Sequence, residues 1–147
     1  MATKNNIVDI DLSVTKKKQF RIDGDDTRII ELNTSDMNIL SRLYDCYPKL
    51  DALGARAVDI SADNPEETVS VLKEIDKEMR DLLNFVFDSD IADVCAPDGS
   101  MFDMFNGDFR FEHILDTLLK LYENNIDKEY KLMSKKIKKH TDKYTGK

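Results

Sequence analysis

The first thirty residues carry the alternation of apolar and polar positions that is typical of β-strands. From Ile7 to Val14, apolar side chains alternate with Asp9, Asp11 and Ser13, which predicts a strand with one packed and one solvated face. The segments Gln19–Ile22 and Thr27–Leu32 flank Asp23-Gly24, a pair that favours the positive φ angles of a hairpin turn. We therefore expect a small antiparallel hairpin or a three-stranded sheet in residues 1–33.

Helical spacing replaces this alternation after Asn33. The capping residues at 33–36 predict a helix that begins near Ser35. Its apolar stripe is predicted to be Met37, Leu40, Leu43, Tyr44 and Tyr47. Pro48 is expected to end or kink this helix, and residues 49–60 fit neither pattern clearly.

A second helix is predicted from Asn64 to Phe87. Asn64 suits the N-cap, Pro65 suits the first helical position, and Glu67 can complete a capping box. The predicted buried stripe of this helix is Val69, Leu72, Ile75, Met79, Leu82, Leu83 and Val86.

Residues 88–108 are broken by turn signals but rich in apolar side chains, which predicts a packed connector. A long amphipathic helix is then expected from about Phe109 until Gly146. The sequence therefore predicts a mainly α protein with a small N-terminal antiparallel β hairpin or sheet. Its expected parts are an N-terminal β region (1–33), a helical body (34–130) and a basic helix end and tail (131–147).

Charge divides the chain between its body and its end. The net charge is -7, yet residues 131–147 hold seven Lys and one Asp, a local charge of +6. The acidic body would be repelled by nucleic acid and by anionic lipid, so binding to either is not expected of it. No stretch approaches the length of about 18 apolar residues that a membrane span requires.

Residue types that carry catalysis or bind metal are sparse and badly spaced for either role. Cys46 and Cys95 lack the partners of a zinc site, and His113 has no evident proton-transfer partner. Nucleotide-binding loops and nucleophile elbows are absent from the sequence. We therefore expect no enzyme activity, no cofactor and no resident metal.

The apolar stripe of the last helix is longer than a small body is expected to cover. Adaptable Met and aromatic side chains at helical spacing can receive a partner helix. The residues predicted to bind a partner, another protein or a second copy, are Leu118, Tyr122, Ile126, Tyr130, Met133 and Ile137.

The order of these segments resembles the tail assembly chaperones of siphophages that infect Gram-positive bacteria. The resemblance covers roughly residues 20–135 and includes the β-like N-terminus, the capped helix 64–87, the connector 90–100 and the helix that starts at 111. Its most telling portion is the apolar helix, small-residue connector and second apolar helix between Leu82 and Tyr122. Relatives are expected to carry a more glycine-rich connector with a Phe-Gly pair, and Phe105-Asn106-Gly107 is the nearest counterpart.

This resemblance implies a helical, chaperone-like fold and a non-enzymatic role in the cytoplasm of the host cell. Such a chaperone coats the long helical tape measure protein, keeps it soluble and helps to recruit subunits of the tail tube protein. Self-association into a homo-oligomer is also compatible with the pattern.

Two other functions remain open from the sequence. A basic-tailed regulator of a mobile element would bind nucleic acid through residues 131–147. A small metal-dependent hydrolase would place its acidic residues in the connector 88–108.

Overall fold

The structure, a computed structural model, describes residues 6–12, 17–58 and 64–145. The chain is 62% helical with a two-stranded N-terminal hairpin, which confirms the predicted fold class. The elements in chain order are β1 (Lys18–Ile22), β2 (Asp25–Leu32), α1 (Asn38–Val58), α2 (Pro65–Phe87), α3 (Ala92–Cys95), β3 (Met104–Phe105), β4 (Asp108–Phe109) and α4 (Arg110–Thr145).

The N-terminal hairpin forms around the predicted Asp-Gly turn. Asp23 and Gly24 both have positive φ angles, 53° and 71°, and these are the angles of the turn that matches the natural twist of a tight hairpin. Phe20 on β1 pairs with Ile30 on β2. Ile30 and Leu32 are fully buried, so β2 attaches the hairpin to the helical core.

The predicted strand from Ile7 to Val14 is wrong over its described part. Residues 7–12 form no strand, and the side chains of Ile7, Val8, Ile10 and Leu12 are 70–82% exposed. Residues 13 and 14 lie outside the described residues. A strand needs a neighbouring backbone to satisfy its amides and carbonyls, and the hairpin sheet contains only β1 and β2 within the described chain.

Helix α1 begins later and runs further than the sequence predicted. The side chain of Asn33 accepts from the Ser35 N–H, and that of Asp36 accepts from the Asn38 N–H, so residues 33–37 form turns instead of a first helical turn. The helix then continues through Pro48 to Val58.

The face of α1 that is buried is not the predicted one. The side chains that enter the core are Ile39, Leu43, Cys46, Leu50 and Leu53. Of the predicted stripe only Leu43 is buried, and Met37, Leu40, Tyr44 and Tyr47 are 47–78% exposed. The prediction was wrong because both sets recur at three- and four-residue steps, and spacing alone does not say which face meets the core.

Helix α2 confirms its predicted bounds and cap. The Asn64 side chain accepts a hydrogen bond from the Glu67 N–H at 3.2 Å, and Pro65 takes the first helical position. Ile75, Met79, Leu83 and Val86 are buried as predicted, Leu72 and Leu82 are half-buried, and Val69 at 50% exposed is the exception.

The connector packs as predicted, and Arg80 of α2 ties it down. The Arg80 guanidinium donates to Asp76 at 2.8 Å, to Asp93 at 2.9 Å and to the Ala96 carbonyl at 2.9 Å. Asp76 in turn accepts the Met101 N–H at 2.7 Å. These charge-assisted hydrogen bonds, together with buried Ile91, Ala92, Ala96 and Met101, make the connector part of the body.

Helix α4 confirms the long amphipathic helix predicted from about residue 109. Its first half packs on the core through Phe111, Ile114, Leu115, Leu118 and Tyr122. The predicted boundary between residues 130 and 131 falls inside this continuous helix.

Candidate partner-binding surface

The second half of α4 extends beyond the body. Every described side chain from Asp127 to Lys138 is exposed, whereas Ile126 is half-buried against the core. The helix continues to Thr145, which places about 28 Å of it past Ile126 at 1.5 Å per residue. We call residues 127–145 the overhang. A helix without tertiary contacts is only marginally stable, so an overhang of this length gains stability when a partner covers it.

The six residues predicted to bind a partner divide into two groups. Leu118 and Tyr122 are 4% and 1% exposed and lie in this chain's own core, with Ile126 half-buried beside them. Tyr130, Met133 and Ile137 are 53%, 52% and 62% exposed on the overhang. The chain therefore leaves only the last three free to make extensive contact with another molecule.

Polar contacts fix the point at which α4 leaves the body. The Asn125 side-chain amide donates to the Thr34 carbonyl at 3.0 Å and to the Ser35 hydroxyl at 3.2 Å. One turn earlier, the Tyr122 hydroxyl lies 3.6 Å from the sulfur of Met37. The turn at 33–37 is thus the edge of the body, and α4 passes over it.

Two ionisable groups at this edge have shifted pKa values. Burial raises the pKa of the Tyr122 hydroxyl, and the charge of Asp36 raises it further. Partial burial alone would raise the pKa of Asp36, but hydrogen bonds from Arg42 and from the Asn38 N–H outweigh it and lower that pKa. Asp36 therefore stays ionised near neutral pH and holds Arg42, whose guanidinium also donates to the Val86 carbonyl at 2.9 Å.

A groove separates α1 from the first half of α4. It has a volume of about 310 Å³, and its walls combine Tyr47 and Leu50 of α1 and Leu115 and Leu119 of α4 with the acidic side chains of Asp51, Glu112 and Asp116. The exposed face of α1 borders this groove: Tyr47 lines it, and Met37 contacts Tyr122 at the opposite end of that face. Tyr47 and Met37 thus lie beside α4, and Leu40 and Tyr44 lie between them in sequence on the same exposed face.

Helical geometry aligns the overhang with this groove. Ile137 is 18 residues after Leu119, which is about five full turns, so both side chains leave α4 in the same direction. Tyr130 and Met133 lie within about 40° of that direction at 100° per residue. We call this combined surface the α1–α4 face, and it consists of Met37, Leu40, Tyr44, Tyr47, Tyr130, Met133 and Ile137.

Lysines lie away from the α1–α4 face. The overhang exposes Lys128, Lys131, Lys135, Lys136 and Lys138, and each leaves the helix at least about 100° from the direction of Ile137. The overhang therefore has an apolar stripe on one side, and its other sides carry these lysines together with Asp127, Glu129 and the exposed Leu132. This arrangement suits an apolar partner surface with acidic flanks.

Sequence reasoning missed the α1 part of this face. Met37, Leu40, Tyr44 and Tyr47 were assigned to the core, although α1 also carries a second apolar set at positions 39, 43, 46, 50 and 53. One helix with two apolar sets has more apolar surface than a single core contact uses. That excess was the signal that a second contact surface exists on α1.

The described chain contains cysteine and histidine side chains, residue types that can carry nucleophilic or acid–base chemistry. No cluster of three or more His, Cys, Asp or Glu side chains there could hold a metal ion. Burial raises the pKa of the Cys95 thiol to about 11, so this thiol stays protonated and weakly nucleophilic near neutral pH. His113 is exposed, and its ring lies 5.6 Å from that of Phe105.

Comparisons with protein-family models, with curated proteins and with solved structures found no match to this chain. None of the helices in the described ranges is both long enough and apolar enough to cross a membrane.

Proposed function

We propose that this protein is a non-enzymatic chaperone of phage tail assembly, which binds amphipathic helical segments of the tape measure protein on its α1–α4 face. The observation that carries the proposal is the overhang, where Tyr130, Met133 and Ile137 expose more than half of their surface along one line. Exposed apolar side chains in one contiguous patch are typical of a protein-binding surface.

A helical client fits this surface better than an extended one. Tyr130, Met133 and Ile137 are spaced three and four residues apart, the spacing at which one helix packs its side chains between those of another. The groove between α1 and α4 extends the same line over the body. Met and Tyr side chains adapt to different neighbours, which suits a client that presents many similar helical turns.

The distribution of charge supports a role in keeping such a client soluble. The body is acidic, and the chain as a whole carries a net charge of -7, so chaperone-coated clients would repel one another. The lysines of the overhang could pair with acidic residues that flank the client's apolar seam. In this proposal the same complex recruits subunits of the tail tube protein in the host cytoplasm.

A nucleic-acid-binding regulator is the second candidate, and the five exposed lysines in the described part of the overhang favour it. However, the helix directs these lysines away from an apolar stripe that nucleic acid would not cover. Cations near a helix C-terminus also complement its partial negative charge, so they do not need a phosphate partner.

Co-expression tests the proposed function. The tape measure protein of the same phage, produced alone, is expected to aggregate, and co-expression with this chain is expected to raise its soluble fraction at least fivefold. The two proteins should elute together, free of nucleic acid. An unchanged soluble fraction would contradict the chaperone role. Salt-sensitive retention of DNA or RNA that is lost on deletion of residues 131–147 would favour the regulator instead.

A further inference from the structure

Residues 7–12 form a second exposed apolar element, at the other end of the chain. Ile7, Val8, Ile10 and Leu12 are 70%, 82%, 76% and 79% exposed, although Val8, Ile10 and Leu12 alternate with Asp9 and Asp11 as in a half-buried strand. We call residues 7–12 the N-terminal segment. Its alternating pattern is typical of a strand with one face packed against another surface. The surface that would cover this apolar face has to come from outside the segment.

Strand β1 offers an open edge beside an apolar groove. Within the described residues β1 pairs with β2 alone, so the other edge of β1 has no strand beside it. A groove of about 640 Å³ runs along β1, lined by Phe20 and Ile22 and, across from them, by Met104, Phe105 and Leu121. Met104 and Phe105 are 84% and 57% exposed, which is unusual for residues in a packed connector.

The open edge of β2 is less accessible. The guanidinium of Arg28 donates to the carbonyls of Val94 and Cys95 at 2.9 and 3.0 Å, and these contacts hold α3 against β2. Of the two edges of the hairpin, the edge of β1 is therefore the one that can accept another strand.

We propose that two copies of this chain exchange their N-terminal segments, each segment adding antiparallel to β1 of the other copy as a third strand. Pairing Ile10 with Phe20 places Val8 opposite Ile22 and Asp9 opposite Arg21. Because alternate residues of a strand share a face, Val8, Ile10 and Leu12 then lie on the same side as Phe20 and Ile22, over the groove.

Charge complementarity supports this pairing. The N-terminal segment contains two Asp and no Lys or Arg, whereas β1 contains Lys18 and Arg21 and no acidic residue. In the chain alone, Arg21 bonds Asp26 at 2.8 Å, but both side chains are more than half exposed, so this ion pair is weak and can be exchanged. Asp9 of a second copy would bring an opposite charge to the paired edge.

The occupant is assigned to a second copy because the chain's own residues 7–12 lie in no strand and keep their apolar side chains exposed, away from the edge of β1. The Lys17 ammonium donates to the Asp88 carbonyl at 2.8 Å, which fixes the start of the hairpin beside the end of α2. Each chain then carries both a donor strand and an acceptor edge. In two such chains related by a two-fold axis, the donor strand of each copy can occupy the β1 edge of the other.

This interface is separate from the α1–α4 face. Leu118 and Leu121, which line the groove beside β1, leave α4 at least about 100° from the direction of Leu119. The proposed exchange and the binding of a helical client therefore use different sides of α4. A variant can lose dimer formation without losing client binding, and the reverse also holds.

The oligomeric state tests the proposal. Light scattering after gel filtration should give twice the chain mass of 16.9 kDa for the wild type. Ile10→Asp with Leu12→Asp should weaken association at least about 100-fold and give the single-chain mass, with unchanged helical content. The control Val69→Asp alters a half-exposed apolar side chain on α2 and should stay dimeric. A monomeric wild type, or a dimer that survives the double change, would overturn the proposal.

Charge reversal tests the register. Asp9→Arg and Arg21→Asp are each expected to weaken the dimer, and the two changes together should restore it, since the opposite charges then meet again. Failure of the double variant to recover would overturn the pairing of Asp9 with Arg21. Tyr130→Asp with Met133→Asp should leave the dimer intact, which separates this interface from client binding.

Discussion

Replacing Tyr130 and Met133 together with Asp is expected to weaken binding of a helical tape measure segment at least about 100-fold, because each is a large apolar anchor at the centre of the proposed contact. The same change should leave the melting temperature within about 2 °C of the wild type, since both side chains are about half exposed and outside the core. Affinity for an immobilised client and thermal melting by circular dichroism measure the two effects.

Leu132 supplies the matched control for this experiment. It is 55% exposed on the same overhang, but it leaves the helix about 140° from the direction of Leu119 and Ile137. Leu132→Asp introduces one Asp, against two in the double variant, on the other side of the same helix, and it should retain binding. If Leu132→Asp weakened client binding as much as the double variant, the overhang would bind without a preferred face. If the double variant bound the client as well as the wild type, the α1–α4 face would not be the binding surface.

Replacing Tyr122 with Ala is expected to destabilise the fold by about 3–5 kcal/mol, the usual cost of removing a buried aromatic side chain. Tyr122 is 1% exposed and packs where α4 crosses the turn at 33–37. For a chain of this length the melting temperature should fall by about 10 °C or more. Urea unfolding followed by circular dichroism measures the change in the free energy of unfolding.

Tyr122→Phe separates packing from hydrogen bonding at this position. It keeps the ring and removes only the hydroxyl, whose acceptor is the weakly polar sulfur of Met37, so it should cost less than about 1 kcal/mol. If Tyr122→Ala costs no more than Tyr122→Phe, then α4 is not anchored through this ring. The overhang would then begin earlier on α4 than the exposure pattern indicates.

Local chemistry made the hairpin and α2 predictable from sequence. Asp23-Gly24 fixes the turn because few other residue pairs accept two positive φ angles. At Asn64-Pro65 the cap, the fixed proline φ and the acidic first turn all indicate a helix start at the same residue. Agreement among independent local signals explains why these elements appear where the sequence placed them.

The buried face of α1 could not be predicted in the same way. Met37, Leu40, Tyr44 and Tyr47 satisfy helical spacing as well as the residues that enter the core do. Burial is decided by where α2 and the hairpin lie, and that information is not local to α1. The core side of α1 uses Ile39, Leu43 and Cys46, which follow the same three- and four-residue steps as the exposed set.

The N-terminal alternation failed as a prediction for a related reason. Period-two spacing indicates that a segment can form a strand, but the strand forms only where the unpaired edge of another strand is close enough to pair with it. The described residues 7–12 have no strand beside them, and four apolar side chains remain in solvent. Such a mismatch between pattern and packing is expected at a contact with another molecule.

Half of the candidate site was accessible to sequence reasoning. The part of the stripe at Tyr130, Met133 and Ile137 was predicted to be a binding surface because the apolar stripe of the last helix is longer than a body of this size can cover. The inclusion of Leu118 and Tyr122 came from treating the stripe as one surface, whereas the body covers α4 as far as Ile126. Where a continuous stripe passes from core to solvent depends on the size and placement of the other helices.

Amide hydrogen exchange on the chain with and without its client tests the central claim most directly. Exposed helix without tertiary contacts exchanges quickly, so amides at 127–138 should be among the faster helical amides of the free chain. Addition of the tape measure segment is expected to slow these amides at least tenfold, while the core helix α2 changes little. Equal exchange rates at 127–138 with and without a bound client would contradict the account.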